Sequence, residues 1–128
     1  MEVLSSRVLL RPTDLDAGIR FYRDTLGLAV FREYGTGDSR GVVFFLGGGF
    51  LEVSGESEPG PLDRLGIWLQ VRDLAATEKE LMAGGVTIER PARLMPWGLR
   101  ELWARDPDGV RLVFVEVPED HPLRRRLD

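Results

Sequence analysis

The 128-residue chain has no cysteine and only one histidine, His121, which lies near its end. Disulfides, thiolate nucleophiles and cysteine-based zinc sites are therefore excluded. No apolar run approaches the roughly 20 residues needed to span a bilayer. The first residues, Met1-Glu2-Val3, lack the basic and long apolar regions of a secretory signal. These features predict a cytoplasmic chain with no membrane partner. There is no basic excess either: 17 Lys and Arg against 21 Asp and Glu give a net charge of -4. No basic stripe is available to displace counterions from a phosphate backbone, so no nucleic-acid partner is expected. An acidic balance mildly favours a cationic ligand through steering.

What is present is an ordinary globular composition, 43% hydrophobic and 30% charged with mixed signs. It predicts a single domain over residues 1–128 with a real core. Residues 7–12 read as a strand, and Thr13-Asp14 offers a helix cap before Leu15, Ile19, Tyr22 and Leu26, which share one helical face. Gly27 ends that helix. Strands are expected over 28–34, 42–46 and 50–54, with turns at Gly35-Thr36-Gly37-Asp38 and Gly47-Gly48-Gly49. The glycine run is not a phosphate loop, because no Lys-Ser/Thr and no helix follow it. Residues 55–64 have a linker composition. The order then restarts with a strand over 65–71, a helix over 74–83 capped by Asp73, a strand over 86–89 and a loop over 91–96. Last comes a hairpin with strands over 99–105 and 110–117, turned by Asp106-Pro107-Asp108-Gly109. Pro at the second turn position has its φ already set, and Asp at the first can accept a backbone N–H. Residues 118–128, with Arg124-Arg125-Arg126, read as a charged surface or dimer-contact tail.

The two halves superimpose as sequences. Val8-Leu9-Leu10-Arg11-Pro12-Thr13-Asp14-Leu15 matches Ile67-Trp68-Leu69-Gln70-Val71-Arg72-Asp73-Leu74 at constant offset. Leu26-Gly27-Leu28-Ala29-Val30 matches Gly84-Gly85-Val86-Thr87-Ile88 after a one-residue slip. An internal repeat of this size implies two βαβββ modules, about 5–54 and 65–117, in an α+β fold. The expected architecture is a curved mixed sheet with helices outside and a central cleft, the default ligand site.

With the paired modules, Phe21-Tyr22-Arg23-Asp24-Thr25-Leu26-Gly27-Leu28 and Asp106-Pro107-Asp108-Gly109 make the chain resemble the vicinal oxygen chelate superfamily. That superfamily includes glyoxalase I, extradiol dioxygenases, fosfomycin-resistance enzymes and bleomycin-resistance proteins. The resemblance runs from Arg7 to Glu116 and specifies a fold rather than one chemistry. It implies a divalent metal held by four side chains in the enzymatic members. Those positions fall here on Arg7, Glu52, Gly66 and Val113, of which only Glu52 can ligate a metal. No metal and no cofactor are therefore expected. An Arg7–Glu52 ion pair is expected where the cation would sit, because a buried carboxylate needs a partner.

If Val113 faces the cleft, alternation turns Arg111 and Val115 the same way and Leu112 and Phe114 toward the helix. The family pattern and the same alternation put Trp103, Glu101, Trp68 and Gln70 on that face. Trp97 and Arg100 belong to the stretch at its mouth, and Trp97-Gly98-Leu99-Arg100-Glu101 looks most like the metal-free bleomycin-resistance branch. The resemblance thus implies a homodimer that binds a small aromatic, cationic drug or metabolite. Indole faces would stack on it, and Glu101 and Glu52 would complement its charge. The competing reading is a metal-free lyase or isomerase using Glu52 or Glu101 as general base, which requires an unpaired carboxylate. A third is an interaction module whose cleft is filled by side chains.

Overall fold

The computed structural model describes residues 2–60 and 65–122. The chain forms two compact units, Met1–Gly60 and Pro61–Asp128, each with one four-stranded mixed sheet. In unit 1, β1 (Arg7–Leu10) is followed by α1 (Leu15–Arg20), β2 (Val30–Tyr34), β3 (Gly41–Leu46) and β4 (Gly49–Ser54). In unit 2, β5 (Gly66–Gln70) is followed by α2 (Leu74–Ala83), β6 (Thr87–Leu94), β7 (Arg100–Arg105) and β8 (Arg111–Glu116). The spatial orders are β1-β4-β3-β2 and β5-β8-β7-β6, with the first and last strands of each unit parallel. The two βαβββ modules read from the repeat are thus present, in an α+β fold.

The repeat extends to the helix caps. Asp14 Oδ1 accepts from the Ala17 N–H at 3.0 Å, and Asp73 Oδ1 accepts from Ala76 at the same distance. Each helix start is closed a second time from the end of its module. Glu56 accepts from the Leu15 N–H at 3.0 Å and Glu116 from the Leu74 N–H at 2.9 Å. Both carboxylates sit where the helix N-terminus favours negative charge. Residues 55–57, expected as linker, are therefore tied into unit 1, and the Ser57 N–H also donates to the Pro12 carbonyl at 2.9 Å. The rest of that stretch, 61–64, and the basic run 124–126 lie outside the described residues.

Two other expectations change. The first helix keeps α geometry only to Arg20 and then widens to a π-helical stretch, Phe21–Thr25. There the Leu26 N–H donates to Phe21 O at 2.8 Å, and Gly27 at φ 69° ends the helix. The second change is at 91–96, expected as a loop, where β6 runs on through Pro91 to Leu94. Pro91 lacks an N–H, but β6 is an edge strand and its register with β7 shifts between Arg90 and Arg93. An irregular edge ladder is where a strand tolerates proline.

Each sheet buries one face under its helix. In unit 1 that face carries Val42, Phe44, Leu51 and Val53, all buried. A Cβ placed on Gly18 of α1 would meet Val53 Cγ1 at 3.4 Å, so this helix packs directly on the sheet. In unit 2 the matching face carries Leu102, Ala104, Leu112 and Phe114, all buried, with Leu74 and Leu81 of α2. The Asp106-Pro107-Asp108-Gly109 turn forms as expected: Asp106 Oδ1 accepts from the Asp108 and Val110 N–H groups, both at 2.8 Å, with Gly109 at φ 90°. Among the described residues no helix is long and apolar enough to cross a membrane.

Candidate functional site

The functional side chains lie on the helix-free face of each sheet, so each unit presents its own site. In unit 1, β1 and β4 run side by side with Arg7 opposite Phe50 and Leu9 opposite Glu52. Arg7 Nη1 donates to Glu52 Oε1 at 2.7 Å, and Ser54 Oγ donates to Glu52 Oε2 at 3.0 Å. The expected Arg7–Glu52 pair is formed. Burial pushes the Glu52 carboxyl up, but hydrogen bonds from Arg7, Ser54 and Tyr34 outweigh it and hold the group below its ordinary value. Tyr34 reaches this carboxylate across Gly41: a Cβ there would lie 2.5 Å from the Tyr34 hydroxyl.

Three phenylalanines that sequence reasoning did not single out stand on the same face. Phe31, Phe45 and Phe50 form a cluster with ring centroids 4.8–5.8 Å apart, Phe31 and Phe45 stacked at 19°. Phe31 and Phe45 are 47% and 48% exposed, which is unusual for stacked rings. Phe45 and Phe50 are cross-strand partners, and a bulge in β2 between Val30 and Arg32 adds Phe31 to them. The period-2 pattern alone gives Phe45 and its partner; only the bulge delivers the third ring.

Unit 2 repeats the frame with different chemistry. Trp68, Val113 and Trp103 form one cross-strand row that ends on Arg90, and Gln70, Val115 and Glu101 form the next, ending on Arg93. The expected parity of Trp68, Gln70, Glu101, Trp103, Arg111, Val113 and Val115 therefore holds. Arg100 does not join them, because alternation from Glu101 turns it to the opposite side of β7. Val115 is buried with Leu99 and Val117, and Val113 packs against them.

In unit 2, Trp68 and Trp97 are half exposed, whereas Trp103 and Glu101 are engaged by neighbours. The guanidinium of Arg90 lies 4.1 Å from the Trp103 ring centroid and that of Arg111 4.7 Å. The indole is thus already engaged by two cations. Glu101 is only 5% exposed and accepts from Trp97 Nε1 at 2.5 Å and Trp103 Nε1 at 3.1 Å. Trp97 reaches it from the β6–β7 turn, which Gly98 closes at φ 90°. A second bulge, between Ile88 and Arg90, puts Glu89 beside Arg105 and Arg111, and Glu89 pairs with both. The Arg105 hydrogen bond is the main reason the Glu89 carboxyl is held below its ordinary value, and Arg111 adds to it. This face carries Arg90, Arg93, Arg105 and Arg111 against Glu89 and Glu101, a local positive surplus on an acidic chain. The acidity of the whole chain is not carried by this face.

The residues at the family's metal positions do not fit a divalent cation. Glu52 has Arg7 on one oxygen and Ser54 on the other. Gly66 has no side chain and Val113 no donor atom. The sole imidazole, His121, lies beside Gly98. Among the described residues no three His, Asp or Glu side chains are grouped to hold a metal.

Two βαβββ modules with their candidate groups on helix-free sheet faces define a paired-module α+β protein. The chain belongs to the Glyoxalase/Bleomycin resistance protein/Dioxygenase superfamily, whose profile matches residues 5–114. It is 29% identical over 127 residues to a lactoylglutathione lyase of Haemophilus influenzae, covering 91% of this chain and 93% of that one. A superfamily member from Sphaerobacter thermophilus has the same fold, with TM-score 0.72, 29% identity, and coverage of 90% of this chain and 98% of its own. A glyoxalase/bleomycin resistance protein/dioxygenase from Nocardioides shares the fold alone, at TM-score 0.75 and 16% identity over 94% of this chain and 87% of its own.

Proposed function

We propose that this chain is a metal-independent small-molecule binding protein of the bleomycin-resistance type, working as a homodimer. The observation that carries the reading is the Arg7–Glu52 pair at two of the family's metal positions, beside an exposed three-ring platform. Stacked phenylalanines left in water cost hydrophobic free energy that a bound aromatic ligand would recover, at about 25 cal/mol per Å² of apolar surface covered. A lyase or isomerase without metal would need Glu52 or Glu101 as base. Glu52 is neutralised by Arg7 and two hydroxyls, and Glu101 is engaged by two indoles. The hydrogen bonds on Glu52 hold it as a carboxylate and oppose its taking a proton.

Isothermal titration against a panel of aromatic drugs and metabolites, with EDTA and again with excess Mg²⁺, Zn²⁺ or Ni²⁺, tests this. The expected result is a binder whose affinity is the same in all four conditions and which is recovered unchanged. Turnover of lactoylglutathione that appears only with a divalent cation would overturn it.

A further inference from the structure

We infer that the helix-free face of unit 1 binds an aromatic carboxylate, its ring on Phe31, Phe45 and Phe50 and its carboxylate on Arg7. The inference rests on the binding reading above and adds the ligand's charge and orientation. Arg7 is the cross-strand partner of Phe50, so its backbone stands one strand spacing, about 4.8 Å, from the platform's edge. The pair with Glu52 uses Nη1, and a guanidinium has five N–H donors in a fork suited to a planar carboxylate. Its side chain is 40% exposed, so these donors can be reached.

The neighbouring charges point the same way. Glu52 is the acidic group of this face, and its oxygens are already hydrogen-bonded by Arg7 and Ser54. Arg32, opposite Val43 on the same face, lies over the Tyr34 ring at 5.5 Å and forms no ion pair among the described residues. The platform is therefore bordered by the Arg7–Glu52 pair and by Arg32, which leaves it net positive. A cationic ligand would gain from the ring faces but meet Arg7 well inside the screening length of about 8 Å at physiological salt. An aromatic carboxylate stacks its ring on the platform and sets its charge on Arg7.

The site belongs to unit 1 alone. Matching the two registers, Phe31, Phe45 and Phe50 correspond to Glu89, Arg105 and Arg111, and Arg7 corresponds to Gly66. The same three positions that present rings in unit 1 are closed on one another by ion pairs in unit 2. Among the described residues, the three-ring cluster with a cation at its end occurs in unit 1 and not at the matching positions of unit 2.

Calorimetric titration with three matched probes tests the assignment: 2-naphthoate, the neutral 2-naphthylmethanol and the cationic 2-naphthylmethylamine. The expected order puts naphthoate at least about tenfold tighter than the alcohol, the range of one charge-assisted hydrogen bond. Arg7→Gln should remove that preference, and Glu52→Gln should strengthen naphthoate binding by freeing Arg7. Both should change the affinity for the alcohol far less than that for naphthoate, and an unchanged far-ultraviolet circular dichroism spectrum shows that the face remains folded. Phe45→Ser, at a half-exposed position, should weaken all three. Equal or tighter binding of the amine overturns the carboxylate assignment and leaves small-molecule binding standing. Opposite-charge variants that shift naphthoate affinity together, or a Phe45→Ser variant that binds normally, also overturn it. No heat with any probe, alongside no binder in the wider drug and metabolite panel, overturns both readings.

Discussion

Glu101→Gln separates a structural carboxylate from one free to meet a ligand. Glu101 accepts two indole N–H groups while 5% exposed, and a hydrogen bond to a charged acceptor contributes about 1.5–3 kcal/mol. The two bonds are not equal. Trp97 is 54% exposed, so its N–H returns to water when released, and its bond contributes under about 1 kcal/mol despite the 2.5 Å distance. Trp103 is half-buried under Arg90 and Arg111, and its N–H has nowhere comparable to go. Glutamine keeps the volume and one accepting oxygen but turns an NH₂ toward the other indole. Relief of a buried charge offsets part of that loss, leaving a destabilisation of about 1–2 kcal/mol. Urea unfolding followed by far-ultraviolet circular dichroism measures it. Double-mutant cycles with Trp103→Phe and Trp97→Phe should give the larger coupling to Trp103. Stability within about 0.5 kcal/mol of the parent, with no coupling to either indole, would refute the reasoning and return Glu101 to the ligand.

Further outcomes follow from the same geometry. Glu52 has a folded-state pKa below its unfolded value, so its contribution is complete above the unfolded value and fades as pH falls through the folded one. Urea midpoints at pH 6.5 and pH 3 should therefore fall further for the parent than for Glu52→Gln. Gly41→Ala sets a methyl 2.5 Å from the Tyr34 hydroxyl and 2.9 Å from Ser54 Cβ. It should cost about 1–3 kcal/mol by overpacking, read as a lower melting temperature, and a normal melting curve would count against the Tyr34–Glu52 contact. With Trp68 and Trp97 replaced by Phe, Trp103 emission should be quenched more by iodide than by caesium, because two guanidinium groups border its ring. Stronger quenching by caesium would contradict the positive face of unit 2.

Much of this arrangement is local and therefore legible in the chain. The Asp14 and Asp73 caps, the α2 bounds and the Asp106 turn each depend on residues within a few positions. The Arg7–Glu52 pair follows from the repeat, because parallel β1 and β4 carry the first and last strands of one module. The loss of metal donors at Gly66 and Val113 is readable residue by residue. What the sequence does not show is which groups are left over once neighbours have met. Phe31 reaches the ring cluster through a bulge set by strand pairing, and Glu89 reaches Arg105 and Arg111 the same way. Trp103 faces the expected side, yet Arg90 and Arg111 from the neighbouring strands already cover its ring. Alternation determines the face of a side chain; only tertiary packing decides whether anything on that face remains unsatisfied, because that depends on residues distant in sequence and side by side across the sheet.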